Sequence, residues 1–321
     1  VLSMFIDSIT VVLFLTAITI ELSGLLKFNP VYMILPEIFC ANLGGAATMS
    51  GDPPNIIIGT SLGLTFMDFL TNTGIIILIA LIAMIIYFYL CFAKKLKEGS
   101  HMADSSAMPD PSSAISNRLG FMISTMIFLM VVFLLVTHAQ TGITVASIGI
   151  IAAVLTLVTS VDVKGGLLRG IDWKTIYFFV GLFVVVGGLE QTHILDLLAD
   201  LISRASGGHV MVMVCVILWF SALASAIIDN IPFAATMVPV IKALAITQGI
   251  PVETLAWTLA LGTDIGGNAT PIGASANVVG TSIASRNGHH ITWGQYCRYA
   301  LPATILCLLI CTVMLYILHV R

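Results

Sequence analysis

The sequence predicts an all-α polytopic membrane protein made of two inverted repeats, each with a re-entrant hairpin and a broken transmembrane helix. Three observations lead there. Of 321 residues, 58% are hydrophobic and 9% charged, against about 25% charged in a soluble domain. Uncharged runs close to the roughly 20 residues that a helix needs to cross a bilayer recur along the chain. One long motif also appears twice at a fixed spacing. A water-solvated fold is therefore excluded, and the lipid bilayer is the first partner. The net charge is −3 and the 13 Lys and Arg are dispersed, so no basic stripe suits a nucleic acid.

Six runs reach or approach spanning length: 74–93, 119–137, 143–161, 173–189, 210–228 and 299–318. The apolar segments 8–20, 31–41, 56–64, 231–246, 252–262 and 278–285 are shorter and end in polar or glycine-rich sequence. Backbone at membrane depth must satisfy its own hydrogen bonds unless it lines a cavity, so interrupted helices point to a buried site. The organisation expected is a first repeat over 1–92, a cytoplasmic linker over 93–118 and a second repeat over 119–321. With that linker inside and each hairpin returning to its own face, ten Lys and Arg fall inside. Arg204, Lys242 and Arg321 fall outside, as the positive-inside rule requires.

The six cysteines sit singly in apolar runs with no CxxC spacing and read as small buried hydrophobes. Cys307 and Cys311 form an i,i+4 pair but lack a third ligand for a metal or metalloid. The seven histidines lie near the ends of apolar runs, where interfacial solvation explains them.

The repeat is carried by two stretches. Phe5-Ile-Asp7-Ser8-Ile-Thr10 returns as Ile227-Ile-Asp229-Asn230-Ile-Pro232. The segment from Asn42 through Gly44, Gly45, Thr48, Gly51 and Asp52 to Asn55 returns from Asp264 through Gly266, Gly267, Asn268, Thr270, Gly273 and Ser275 to Asn277. Both pairs share an offset of 222 residues. A third echo, Leu64 to Phe69 against Ile291 to Tyr296, has a slightly larger offset. An odd number of crossings separates the copies in this threading, so they run in opposite senses. Paired broken helices in inverted repeats are the sequence pointer to a secondary transporter with a midplane site. Symmetry also implies about one hundred further residues, scaffold helices and the first hairpin arm, ahead of Val1.

Carboxylates inside a membrane are costly and usually functional, and Asp7, Glu37, Asp52, Asp229 and Asp264 all lie within or beside the short segments. Each copy offers an acidic tip, Asp7 with Ser8 and Thr10 or Asp229 with Asn230, and a Gly-Gly break that can turn carbonyls toward an ion. Thr48, Asn55, Thr270, Ser275 and Asn277 add neutral oxygens, the shell that hard cations favour. Sodium sites are expected near Asp7 with Asn55 and near Asp229 with Asn277. The half-helix starts beyond each break would favour an anionic group. Two blander readings stay open: Asp7 and Asp229 as helix caps, and the glycines as packing residues. Glu37 and Asp264 are either proton carriers facing the cavity or protonated groups bonded to nearby backbone. Asp68, Glu190, Asp196 and Asp200 read as solvated surface.

These motifs resemble the ion transporter superfamily, and among its branches the ArsB/NhaD permeases, over almost the whole chain. The resemblance implies hairpin tips and unwound loops that together form substrate and cation sites, an elevator-type transport domain moving against a scaffold, and a homodimer. It implies no cofactor, only Na+ or H+ as coupling ion. Sodium-coupled dicarboxylate carriers of the superfamily carry Ser-Asn-Thr at each tip, where this chain has Asp7-Ser8-Ile9 and Asp229-Asn230-Ile231. The added negative charge disfavours a dianion unless cations or protons neutralise it. An inorganic oxyanion such as arsenite therefore ranks first as substrate, Na+/H+ exchange second and carboxylates third. A channel would need a continuous pore. No HExxH, GxSxG or P-loop pattern suggests an enzyme. The location expected is the cell (inner) membrane.

Overall fold

The computed structural model describes residues 1–99, 117–159 and 173–320, and every regular element within them is helical. Most of the linker expected over 93–118, the end of the run 143–161, Lys164 and Arg169 lie outside the described residues. So do the side chains of Lys174, Glu190 and Asp196. Contacts group Val1–Asp104 with Val186–Arg321 as one compact unit and Ser105–Val185 as a second.

In the second unit, α5 (Arg118–Thr141) and α6 (Val145–Thr159) pack against each other. Gly142 ends α5 with a left-handed φ of 70°, a conformation that glycine adopts without steric cost. Of the side chains on these two helices, Leu135 and Ile148 are buried. The helix α7 (Trp173–Gln191) begins in this unit and ends in the other.

The first unit holds both copies of the repeat. Copy one comprises α1 (Ser8–Leu26), α2 (Val31–Gly45), α3 (Pro53–Leu62) and α4 (Phe66–Gly99). After α8 (Ile194–Ser206) and α9 (Val210–Ser225), copy two comprises α10 (Asn230–Gln248), α11 (Val252–Gly266), α12 (Ser275–Arg286) and α13 (Trp293–Leu315). Both α1 and α10 start where an aspartate caps the first turn, a contact worth about 0.5–2 kcal/mol. The breaks expected at Gly44-Gly45 and Gly266-Gly267 are present: α2 ends at the first, and α11 ends at the second in a short 3-10 turn, Gly267–Ala269.

Packing between the copies follows an exchange pattern. Tip helix α1 packs on α12 beyond the other copy's break, and α10 packs on α3 in return. The pairs α1 with α2 and α10 with α11 also match, as do α2 with α12 and α11 with α3. At the centre, α11 is buried at every position from Thr254 to Gly266. Outside, α4 exposes Leu78, Ile82 and Ile85 while α13 exposes Leu301, Ile305 and Leu309. Polar side chains such as Asn42, Asn55, Asp264 and Asn277 are buried instead, the distribution suited to lipid as solvent.

Among the described residues, five helices are long and apolar enough to cross a bilayer: Ser8–Leu26, Phe66–Lys97, Arg118–Thr141, Asn230–Gln248 and Trp293–Val320. Two of these differ from the sequence expectation. The hairpin arms expected over 8–20 and 231–246 extend into helices of 19 residues each. Glu21, Ser23 and Gln248 continue the helix, and left-handed caps at Lys27 and Gly249 end it. Conversely, α9 has 16 residues, shorter than the run that suggested it.

Candidate functional site

The site is built from two tips and two loops that meet inside the first unit. At each tip the aspartate closes the first turn of its helix. Asp7 Oδ2 accepts from the N–H groups of Ile9 (3.1 Å) and Thr10 (3.4 Å), and Asp229 Oδ1 accepts from Ile231 N–H (3.0 Å). Capping uses one oxygen in each case. Asp7 Oδ1 is buried without a partner, whereas Asp229 Oδ2 accepts from Ser275 Oγ at 3.0 Å.

Each loop is tied to its tip and to its own helix end by matching bonds. Thr48 Oγ1 donates to Met4 O, and Thr270 Oγ1 donates to Ala226 O. Asn55 Nδ2 donates to Gly45 O (3.3 Å) and Thr48 O (3.2 Å), and Asn277 Nδ2 donates to Gly267 O (2.8 Å) and Thr270 O (2.8 Å). The 222-residue offset read from the sequence is thus reproduced bond for bond. The loops cross their helices too closely for any side chain. A Cβ on Gly51 would stand 2.7 Å from Ser3 O, and one on Gly273 would stand 2.9 Å from Ser225 O.

Between the tips lies a cavity of about 20 Å³ lined by Ser8, Asp52, Pro53, Asn230, Ala274 and Ser275. Ser8 Oγ donates to Asp52 Oδ1 at 3.0 Å, so the donor is on the tip and the acid on the loop. In copy two the order is reversed, with Ser275 on the loop donating to the tip acid Asp229. The helix starts beyond the breaks also differ. Pro53 and Pro54 open α3, and proline has no N–H to offer an anion. Ser275 and Ala276 open α12, where first-turn amides have no intrahelical partner. Copy one therefore lines the cavity with Asp52 and a helix start opened by prolines, and copy two with Asn230 and a helix start that keeps its first amides.

The remaining candidates divide by depth. Thr10 is exposed and enters through its backbone N–H alone. Gly44, Gly45, Gly266 and Gly267 form the helix ends. Asp264 and Asn268 are fully buried, and both Asp264 carboxylate oxygens lack a hydrogen-bond partner. Glu37 is apart from the tips: Thr19 Oγ1 donates to its Oε1 at 2.5 Å, Oε2 is buried and unpartnered, and it lines a separate cavity with Cys40. Among the described residues, no group of three His, Cys, Asp or Glu side chains could hold a metal ion.

Sequence reasoning passed over Asn42 as a site residue. Its Nδ2 donates to Asn268 Oδ1 (2.8 Å) and to Asn277 Oδ1 (2.7 Å), which joins the copies through their breaks. The signal was its place in the repeat, opposite Asp264. The bond also occupies the Asn277 oxygen on which one sodium site was expected.

The chain is similar to known transporters and membrane proteins. Residues 1–262 match a family described as "Citrate transporter" (CitMHS). An uncharacterized transporter of Mycobacterium tuberculosis (strain ATCC 25618 / H37Rv) is 36% identical over 318 residues, covering 98% of this chain and 74% of its own. A 46 kDa membrane protein of Mycobacterium leprae is 33% identical over 311 residues, 95% of this chain and 71% of its own. The P protein of Homo sapiens is 28% identical over 387 residues, 95% of this chain and 46% of its own.

Proposed function

The chain belongs to the citrate transporter family, and on that premise we propose that it is a secondary active transporter of a small inorganic ion. It is an integral, multi-pass membrane protein. An oxyanion such as arsenite is the favoured substrate, with Na+ or H+ as the coupling ion. In this reading Asp7, Ser8 and Asp52 hold the cation side of the cavity, while the start of α12 with Ser275 and Asn230 receives the anion.

The observation that carries the reading is the cavity where the tips meet. Its volume is about 20 Å³, and a space above about 10–15 Å³ admits one water-sized species. A bare monatomic ion fits that space, and an oxyanion has to widen it, though by less than citrate. Citrate, named in the family description, is the second reading: it would have to spread the tips apart and bring three carboxylates toward Asp7, Asp52, Asp229 and Asp264. Coupling follows when cation binding neutralises those acids. Substrate affinity then differs between loaded and empty forms, and only a differential affinity shifts the populations of inward and outward states. The exchange pattern of the two copies supports elevator-type alternating access, because two related packings would have similar energies.

The test is flux into proteoliposomes containing the full-length protein. Arsenite, phosphate, citrate and sodium are compared under imposed pH and sodium gradients, with Asp7→Asn and Asp229→Asn as variants. Gradient-driven arsenite flux that both variants abolish is the expected result. Flux of citrate alone would replace the substrate, normal flux in both variants would overturn the site, and single-channel currents would overturn the carrier.

A further inference from the structure

A groove of about 400 Å³ runs between α2 and α4 of the first unit. Cys40 and Ile85 line one end, Phe88 and Phe92 its buried floor, and Tyr32 and Lys97 the other end. From Ile85 to Lys97 the groove follows about 18 Å of α4 at 1.5 Å per residue, a little more than one leaflet of a hydrocarbon core about 30 Å thick. Lys97 also closes the part of α4 that is apolar enough to cross a bilayer, so the groove starts at headgroup level and descends into the apolar layer. Basic groups gather at that start. Lys94 stands three residues before Lys97, the spacing of neighbours on a helix surface, and both are exposed. Lys95 Nζ lies 4.8 Å from the centre of the Tyr32 ring and gives one hydrogen to Tyr299 Oη at 2.6 Å, which leaves its other hydrogens for a further acceptor. The Arg298 guanidinium is 5.9 Å from the same Tyr299 ring. Among the described residues, no acidic side chain lines the groove.

Each feature alone is ordinary, since apolar side chains face lipid and basic ones gather at helix ends in membrane proteins generally. Their juxtaposition selects a partner. An apolar channel as long as one leaflet suits an acyl chain, and its basic mouth suits a negative group attached to that chain. Basic pockets between membrane helices are where anionic headgroups bind, and Tyr32 and Tyr299 are the residue type that marks the headgroup level. We propose that this groove holds one anionic phospholipid. Its phosphate lies among Lys94, Lys95, Lys97 and Arg298, and one acyl chain runs along α4 over Phe92 and Phe88. Bound there, the lipid braces α2 against α4 and reaches α13 of copy two through Lys95 and Tyr299. The site is separate from the cavity at the tips and does not depend on which ion is transported.

The experiment is thermal unfolding of the purified full-length protein in an uncharged detergent. It is titrated separately with phosphatidylglycerol, with phosphatidylcholine of the same acyl chains, and with inorganic phosphate. Binding to the folded state raises the midpoint with ligand concentration, so the midpoint should climb with phosphatidylglycerol and stay level with the other two. Each basic residue near an anionic lipid surface contributes about fivefold in affinity, so Lys97→Gln should weaken the response about fivefold and Lys94→Gln with Lys97→Gln roughly twenty-five-fold. Both side chains are exposed, so these variants should fold as the wild type does without lipid. Ala93→Trp sets a large side chain in the groove and should abolish the response. An equal climb with phosphatidylcholine overturns the headgroup site, and an equal climb with inorganic phosphate overturns the acyl-chain site. A response to phosphatidylglycerol unchanged in the double lysine variant overturns the proposal as well. So does indifference to all three additions, the result expected if a second copy or another segment of the protein covers the groove.

Discussion

Asn277 is the best place to weigh the clasp that closes each break, because its three hydrogen bonds are short and its isosteric variant reverses their sense. Asn277→Ala removes two bonds to backbone carbonyls at 2.8 Å and one from Asn42 at 2.7 Å. At about 0.5–1.5 kcal/mol for each neutral bond the loss is roughly 1.5–4.5 kcal/mol. Interhelical bonds in membranes average about 0.6 kcal/mol, which places the expectation near 2 kcal/mol. Asn277→Asp keeps the volume and the oxygen that accepts from Asn42. It also sets a second oxygen against Gly267 O and Thr270 O and buries a charge. Leaving a buried charge uncompensated costs about 3–5 kcal/mol, so the conservative variant should be the more damaging. Equilibrium unfolding in mixed micelles, with the wild type and both variants side by side, measures the order. An aspartate variant at least as stable as the alanine variant would mean that the amide does not face those carbonyls.

Other outcomes follow from the same geometry. Gly51→Ala and Gly273→Ala place a methyl group against backbone oxygens and should each cost about 1–3 kcal/mol, the range for overpacking. Gly24→Ala, with open space around its Cβ, should be neutral or stabilise by up to about 1 kcal/mol; thermal unfolding separates the cases. Asn42→Leu breaks both bonds between the copies, and a double-mutant cycle with Asn277→Ala should show a coupling of about 0.5–3 kcal/mol, as for residues in direct contact. Lys95 donates to Tyr299 Oη at 2.6 Å and lies 4.8 Å from the centre of the Tyr32 ring. It is partly exposed, so Lys95→Met should cost no more than about 1 kcal/mol, read from the same unfolding curves.

Much of this was legible in the sequence because the breaks and tips carry dense local constraints. A loop that passes its helix with no room for a Cβ must repeat its glycines, and the paired Thr48 and Thr270 must stay if each is to hold its tip carbonyl. Such constraints survive in both copies and show as identities at one offset. Helix ends were read less well. The end of an apolar run marked the expected stop of α1, but Glu21 and Ser23 are tolerated in a helix, and the left-handed cap at Lys27 sets the real end. Contacts between copies were out of reach, since Asn42 and Asn277 are 235 residues apart and nothing local announces their bond. Only the exchange of amide for carboxylate between Asn42 and Asp264 hinted that this position mattered.

That exchange belongs to a wider pattern in which one scaffold carries two chemistries. Backbone, glycines and clasps obey the repeat, while the groups facing the centre depart from it. Asp52 answers to Ala274, Pro53 to Ser275, Ser8 to Asn230 and Asn42 to Asp264. A fully symmetric site would hold the same species twice and could not couple two different ones. A fully asymmetric scaffold would lose the two related packings on which alternating access depends. The arrangement here meets both needs in the proposed cycle: equivalent packing keeps the two access states close in energy, and unequal side chains give each ion its own side of the cavity. Making copy one more like copy two, with Asp52→Ala and Pro53→Ser together, should then preserve folding while it removes the distinction between cation and anion sides. Tight coupling in the proteoliposome assay, with substrate flux still proportional to the imposed cation gradient in that double variant, would show that the coupling arises somewhere other than this asymmetry.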